Sequence, residues 1–378
     1  MLKYKILAIA ICVTFVYSCT PEALDLGIEN QFGQLPTTIA HPSNNLPSAE
    51  KIELGKLLFW DPILSGKKDI ACVTCHHPSS GYAEQLDLSI GVGGIGLSES
   101  RRNGVLVKRN SQSILNTAFN GINNAGISVP ENAPMFWDNR TESLEKQAIE
   151  PILSAEEMRG DDIAKEAIID TVLARLKNIP EYNIRFTELF GQDGITEENL
   201  GKAIAAFERT LISNNSRFDQ YANGDKSALT DFEIRGMISF SEAGCANCHN
   251  GPMFSDFELH VLSVPENNKL SGADDGNGEF AFRTPSLRNL NLTAPYMHNG
   301  IFNTLEEVMD FYDEVDNGSQ NPNVPSEKIA PELQQIDLGD EDRTASIIAF
   351  LKALNDDNFD KEVPSQVPSN LNPGGNIE

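Results

Sequence analysis

The densest chemistry in this chain sits in two short stretches, Cys72-Val73-Thr74-Cys75-His76 and Cys245-Ala246-Asn247-Cys248-His249. Each is a CxxCH motif. Two thiols separated by two residues can add across the two vinyl groups of a porphyrin, and the adjacent imidazole then lies beneath the iron as its axial ligand. A zinc ion shared by the two CxxC pairs would leave both trailing histidines as coincidence. A thioredoxin-like dithiol expects a βαβ setting, which the surrounding helical pattern does not offer. An exported protein ordinarily spends its cysteines on disulfides, yet here each pair is followed at once by histidine. The motifs therefore read as attachment points for two c-type haems.

What fills the remaining axial position of each iron separates an electron relay from a catalyst: a strong ligand closes the site, an open one admits peroxide or oxygen. The other histidines are His41, His77, His260 and His298. His77, next to the proximal residue, cannot reach the opposite face of the same haem, and His41 falls in the N-terminal linker. His260 and His298 read as neighbours of a haem or its propionates rather than as iron ligands.

The elements that must position these groups are helical. "SAEKIELGKLLF" opens on Ser48 as an N-cap and lines Ile52, Gly55, Leu58 and Phe59 along one face. "TEENLGKAIAAFERTL" spaces Leu200, Ala203, Ile204, Phe207 and Leu211 as an amphipathic helix. "TDFE" at 230–233 and "TLEE" at 304–307 fit capping boxes. A faint repeat is visible, since "ELGKLLFWD" precedes the first CxxCH and "EIRGMISFSEAG" the second. The expected fold is all-α, with two cytochrome c-like helical domains, 47–220 and 221–360, each carrying one covalently bound c-type haem and divided near the turn-rich "NNSRFDQYANGDKSALT".

The ends and the charge bound the setting. "MLKYKILAIAICVTFVYSC" has Lys3 and Lys5, an apolar run from Ile6 to Tyr17 and a cysteine after Ser18. That pattern reads as a lipoprotein signal over 1–18, with Cys19 acylated and 19–46 as a tether. The Pro/Asn/Gly-rich 361–378 reads as a disordered tail. With 29 Lys and Arg against 55 Asp and Glu, the net charge of −26 excludes the basic surface that nucleic-acid binding needs. It suits the periplasm or cell envelope.

Taken in order, "ELGKLLFWDPILS", "CVTCH", "RNSQSILNTAFN", "FWDNRTESLEKQAIEPI", "CANCHNGPMFSD" and "FRTPSLRNLNLTAPYMHNGIFNTLEEVMDFY" resemble the bacterial di-haem cytochrome c peroxidases, from about Leu46 to Leu354. That family includes the di-haem enzyme that matures tryptophan tryptophylquinone. The resemblance implies a peroxidatic haem on Cys72, Cys75 and His76 and an electron-transferring haem on Cys245, Cys248 and His249. It implies that Trp137 lies between them, that Gln147 and Glu157 form the distal polar pair, and that Asn110, Thr293 and Pro295 hold an interdomain Ca2+. A carboxylate and an amide suit peroxide heterolysis, which needs a proton moved from one oxygen to the other and a donor to the departing hydroxide. Glu157 is preferred to Glu156, which reads as helix-surface charge.

Two departures matter. The loop that supplies a capping histidine in many members reads "LSIGVGGIG" here, with Val92 at that place and no histidine between Pro78 and Cys248. A constitutively open first haem is therefore expected. For the second haem, the position where many members use Met is Tyr312, with Met309 on the same helical face and Met297 as a third choice. The expected activity is reduction of H2O2 to water, with electrons from a small cytochrome c or cupredoxin. Alternatives are H2O2-driven oxidation of residues in a protein partner, or a non-catalytic di-haem relay. The resemblance also allows a homodimer.

Overall fold

The computed structural model describes residues 29–315 and 320–378. The expected leader and Cys19 lie outside them. No helix among the described residues is long and apolar enough to cross a membrane.

Two helix pairs organise the molecule. In the first, Ala49–Trp60 packs along Glu197–Glu208; in the second, Asp231–Glu242 packs along Glu341–Lys352. The helix starts expected from sequence are present. Ser48 Oγ accepts from Lys51 N–H at 3.2 Å, and Thr230 and Thr304 each close a capping box with a glutamate three residues on.

The same device brings each pair together. A Cβ added at Gly55 would meet the Ala203 carbonyl oxygen at 2.0 Å, and one at Gly236 would meet that of Ser346 at 1.9 Å. Glycine lets one helix backbone rest on the other. Phe59 follows Gly55 by one turn and packs on Phe207 at 5.3 Å; Phe240 follows Gly236 and packs on Phe350 at 5.8 Å. The faint sequence repeat is thus a repeated helix crossing, and it equates Ala203 with Ser346 and Phe207 with Phe350.

Each pair anchors its own apolar core, the first around Leu54, Phe59, Ile152, Leu200 and Phe207, the second around Phe218, Phe240, Phe254, Ile347 and Phe350. A smaller cluster of Leu35, Phe119, Ile122, Met253 and Phe257 joins the two. The expectation of a purely helical fold needs amending. Two short antiparallel ribbons occur, Pro134–Met135 with Thr141–Glu142 and Leu259–His260 with Phe282–Arg283, and long irregular segments connect the helices.

The expected boundaries also shift. The division between 220 and 221 falls inside the helix Arg217–Ala222, whose Phe218 and Tyr221 both belong to the second core. Of the expected tether, the described part is packed: Phe32 is fully buried in the second core against Phe254, at 5.0 Å between ring centroids. The expected disordered tail is ordered against the first core. Thr74 Oγ1 donates to the Gly374 carbonyl at 2.9 Å, Gly374 N–H to that of Trp60 at 2.7 Å, and Asn376 N–H to that of Asp69 at 2.9 Å. Polar, Pro-rich composition was a poor guide here, because backbone groups and a few apolar anchors such as Phe32 and Val367 hold these segments.

Candidate functional site

The space between the cores is one connected cavity of about 720 Å³, lined by both CxxCH motifs. Residues 72–75 form a single helical turn and 245–247 a short 3-10 turn, so that each histidine leaves its turn at the end. His76 Nδ1 lies 3.1 Å from the Tyr82 carbonyl and His249 Nδ1 2.9 Å from that of Phe254. A carbonyl only accepts, so each Nδ1 is the protonated nitrogen and Nε2 is left as a bare ligand atom. Ser111 supports the first imidazole, its hydroxyl 3.3 Å from His76 Nδ1 and donating to the Cys75 carbonyl at 2.9 Å. Burial holds both histidines below the usual imidazole pKa. The four motif cysteines are free thiols, Cys72 and Cys245 each pushed up to about 12 chiefly by burial. Thiol pairs beside bare, neutral imidazoles on an apolar cavity fit haem attachment at both motifs.

Glu157 and Gln147 both line this cavity with the first motif. Gln147 ends the turn Leu144–Gln147, and Glu157 sits in the π-type turn Ala155–Arg159, which is capped by Ser154 Oγ accepting from Glu157 N–H at 3.3 Å. Burial raises the Glu157 carboxyl above the ordinary range, with Glu156 and Glu150 adding to it and Arg140 opposing. Glu156 is exposed and also borders the cavity. Sequence reasoning missed Arg140, whose guanidinium lies 3.5 Å over the Phe136 ring, pairs with Asp138 at 2.9 Å and faces the cavity. Its nearness to Trp137 in the chain was the available signal.

Trp137 lines the same cavity, donating its indole N–H to the Asn110 carbonyl at 3.0 Å. It meets His298 edge-on at 6.5 Å, and His298 stacks on Phe282 at 3.7 Å. Burial drops the His298 pKa to about 3, so this imidazole is neutral. Asn110, Thr293 and Pro295 line the same cavity, where the Asn110 Nδ2 donates to the Leu86 carbonyl at 2.8 Å and lies 3.5 Å from that of Pro295.

On the second side, Tyr312, Met309 and Met297 all line the cavity. Met309 is packed into the second core, whereas the Tyr312 phenol is pushed above its ordinary pKa by burial and by Cys245 and Cys248. His260 pairs with Asp256 at 2.9 Å, which, followed by Cys248, lifts its pKa to about 10. The ligand atoms of Cys248, Asp256 and His260 lie within 4.8 Å of one another. Since the Cys248 sulfur is the one haem attachment would consume, this group belongs to the surroundings of the second motif.

Val92 is buried but is not among the residues lining the cavity. Its N–H donates to the Glu156 carbonyl at 3.1 Å, and a Cβ at Gly91 would sit 1.9 Å from that oxygen. The buried Arg101 donates to the carbonyls of Ile90, Gly91 and Gly96 and lies 3.7 Å from Glu84, whose carboxyl burial raises to about 7. The loop is therefore fastened on both sides. His77 is turned away, its Nδ1 on Ser79 Oγ at 2.6 Å.

A chain that opens two such motifs onto one cavity is built as a two-haem redox protein. Residues 49–227 match the sequence model of the di-haem cytochrome c peroxidases. The cytochrome-c peroxidase IdrP1 of Pseudomonas sp. (strain SCT) is 33% identical over 391 residues, 94% of this chain and 92% of its own. The methylamine utilization protein MauG of Methylorubrum extorquens is 33% identical over 331 residues, 84% of this chain and 82% of its own. Among solved structures, a MauG-like protein associated with microbial copper homeostasis superposes with a TM-score of 0.68 at 27% identity, covering 86% of this chain and 95% of that one. The chain belongs to the di-haem cytochrome c peroxidase family, which implies two c-type haems and an oxidoreductase of the cytochrome-c peroxidase type.

Proposed function

We propose that this chain is an exported peroxidase that reduces H2O2 to water beside a haem on Cys72, Cys75 and His76, with electrons arriving through a second haem on Cys245, Cys248 and His249. The observation that carries the reading is the pairing of Glu157 and Gln147 on the cavity of the first motif, with the Glu157 carboxyl made more basic by burial. When bound, the haem supplies the electrons and the iron site at which the O–O bond is cleaved. Glu157 takes the proton from the near oxygen of peroxide and returns it to the far one, while the Gln147 amide donates to the departing hydroxide. Arg140 tempers the basicity of Glu157 and adds positive charge where negative charge develops. Trp137 serves the path between the two haems, with His298 and Phe282 stacked behind it.

The fastened loop around Val92 supports a first haem that is open without prior reduction, because the loop carries no histidine and is pinned by Arg101 and the Glu156 carbonyl. Tyr312 is the proposed axial neighbour of the second haem, ahead of Met309 and Met297, and one Ca2+ is proposed at Asn110, Thr293 and Pro295. The electron donor is a small cytochrome c or cupredoxin, and the location is the periplasm or cell envelope, with a lipid on Cys19.

The test is stopped-flow mixing of the fully oxidised protein with H2O2 followed by reduced cytochrome c, beside a half-reduced sample. Turnover from the oxidised sample is expected. A bis-histidine low-spin spectrum at the first haem would refute the open site, and absence of reaction in both samples would leave a relay. A second reading rests on Tyr312: a phenol at the second motif suits H2O2-driven oxidation of a protein partner. An oxidised species that reduced cytochrome c fails to discharge would favour it.

A further inference from the structure

Glu208 is a buried acid that peroxide chemistry at Glu157 and Gln147 does not use. It closes the helix Glu197–Glu208, is 4% exposed, and lines the cavity beside Cys72. Its Oε2 is fully enclosed without a hydrogen-bond partner. The neighbouring Arg209 is committed elsewhere, gripping both Glu145 oxygens at 2.6 and 2.8 Å. From the helix packed along the same face, Lys56 is turned to Asp360 and Glu362. An enclosed carboxylate without a partner is strongly disfavoured, so such groups are retained for a reason.

The helix crossing supplies an internal control. It equates Phe207 with Phe350, and therefore Glu208 with Leu351, which is 2% exposed and lines the same cavity at the second motif. The frame thus accepts an apolar side chain at this place. The second half carries one; the first carries an acid.

We infer that Glu208 is a redox-linked proton site of the first haem, holding a proton while that haem is reduced and releasing it to the cavity when that haem gives its electron to peroxide. One electron and one proton leave together, and both return on re-reduction, so the buried site keeps its net charge. Burial raises the carboxyl to about 8, Arg209 opposing and Glu145 adding, which leaves it protonated at neutral pH until positive charge is gained beside it. Its charge is also felt at Cys72, the sulfur through which that haem would be joined. Peroxide reduction consumes two protons with two electrons, and Glu157 and Gln147 relocate a proton already on the peroxide without supplying one. The inference rests on the proposed attachment of a haem at Cys72.

The test is spectroelectrochemical titration of both haems of the loaded protein against pH, in wild type, Glu208→Gln and Glu208→Leu, with haem counted per chain in each sample. In wild type the potential of the first haem is expected to fall as pH rises toward about 8. Both variants are expected to flatten that slope and leave the second haem's unchanged. Two haems per chain with an unaltered first-haem slope overturn the role of Glu208 alone, whereas a wild-type chain lacking the first haem overturns the functional reading with it. Should the variants fail to load, the redox infrared difference spectrum of wild type decides. Loss of a protonated-carboxyl band on oxidation that persists in Glu84→Gln and Glu157→Gln supports the assignment, and no such loss overturns it.

Discussion

Replacing Glu157 by Gln keeps the shape of the distal wall and removes the base. General-base catalysis by a positioned carboxylate is worth about 10²- to 10⁴-fold, or about 2.7–5.4 kcal/mol of barrier at 1.36 kcal/mol per decade. Here the upper part of that range is expected, since burial lifts the carboxyl above its ordinary 4.5 and so makes it a stronger base. The sign of the pH effect follows. The group works ionised, so the rate with H2O2 rises with pH through the Glu157 pKa, on a limb above the normal carboxylate range. Arg140→Gln removes the charge that favours ionisation and moves that limb to higher pH. Glu157→Gln abolishes it. The assay is the bimolecular rate constant for H2O2 with the oxidised protein across pH, with exposed Glu156→Gln as the comparison. A Glu157→Gln rate within about threefold of wild type, where about 10² or more is expected from loss of the base, would refute the reasoning.

Three further outcomes follow from the frame and the second site. Gly236→Ala drives a methyl into the Ser346 carbonyl and is expected to cost about 1–3 kcal/mol, read as a lower melting temperature of the loaded protein. An unchanged melt would mean that the helices separate freely. Phe32→Ala empties a fully buried ring site in the second core and should cost about 3–5 kcal/mol, whereas a residue in a free tether would cost nothing measurable. Tyr312→Phe is expected to change the oxidised spectrum of the second haem and leave the first alone, with Met309→Leu altering neither; the reverse pattern would make Met309 the axial neighbour.

Much of this was legible in the sequence, and the reasons are local. CxxCH encodes its chemistry within five residues, and capping at Ser48, Thr230 and Thr304 is a three-residue matter, so both are readable without tertiary knowledge. Glu157 was separated from Glu156 through motif position, and both side chains line the cavity. What could not be read depends on contacts between distant segments. Phe32 looked like part of a linker because its partners, Phe218, Phe254 and Phe350, lie far along the chain. The tail looked disordered because the bonds that fasten it to the body, beyond its own short turns, run to carbonyls far away in sequence at Trp60 and Asp69. Glu208 read as one more residue of an amphipathic helix, and its isolation emerges only once Arg209 is seen to be taken by Glu145.

The two halves put one frame to unequal electrostatic use. Around the first motif stand three buried or half-buried acids whose pKa values burial raises, Glu84, Glu157 and Glu208. Around the second, Leu351 occupies the place of Glu208, and the polar groups are a phenol and a histidine held protonated by Asp256. Acids that ionise as positive charge accumulate favour the oxidised form of whatever they surround, and a protonated histidine opposes it. On the proposed reading the gradient runs one way, with oxidising equivalents held more easily at the first motif and electrons at the second. A duplicated helix crossing alone would give two equal sites, and the inequality between them lies in a few enclosed side chains, Glu208 against Leu351 foremost.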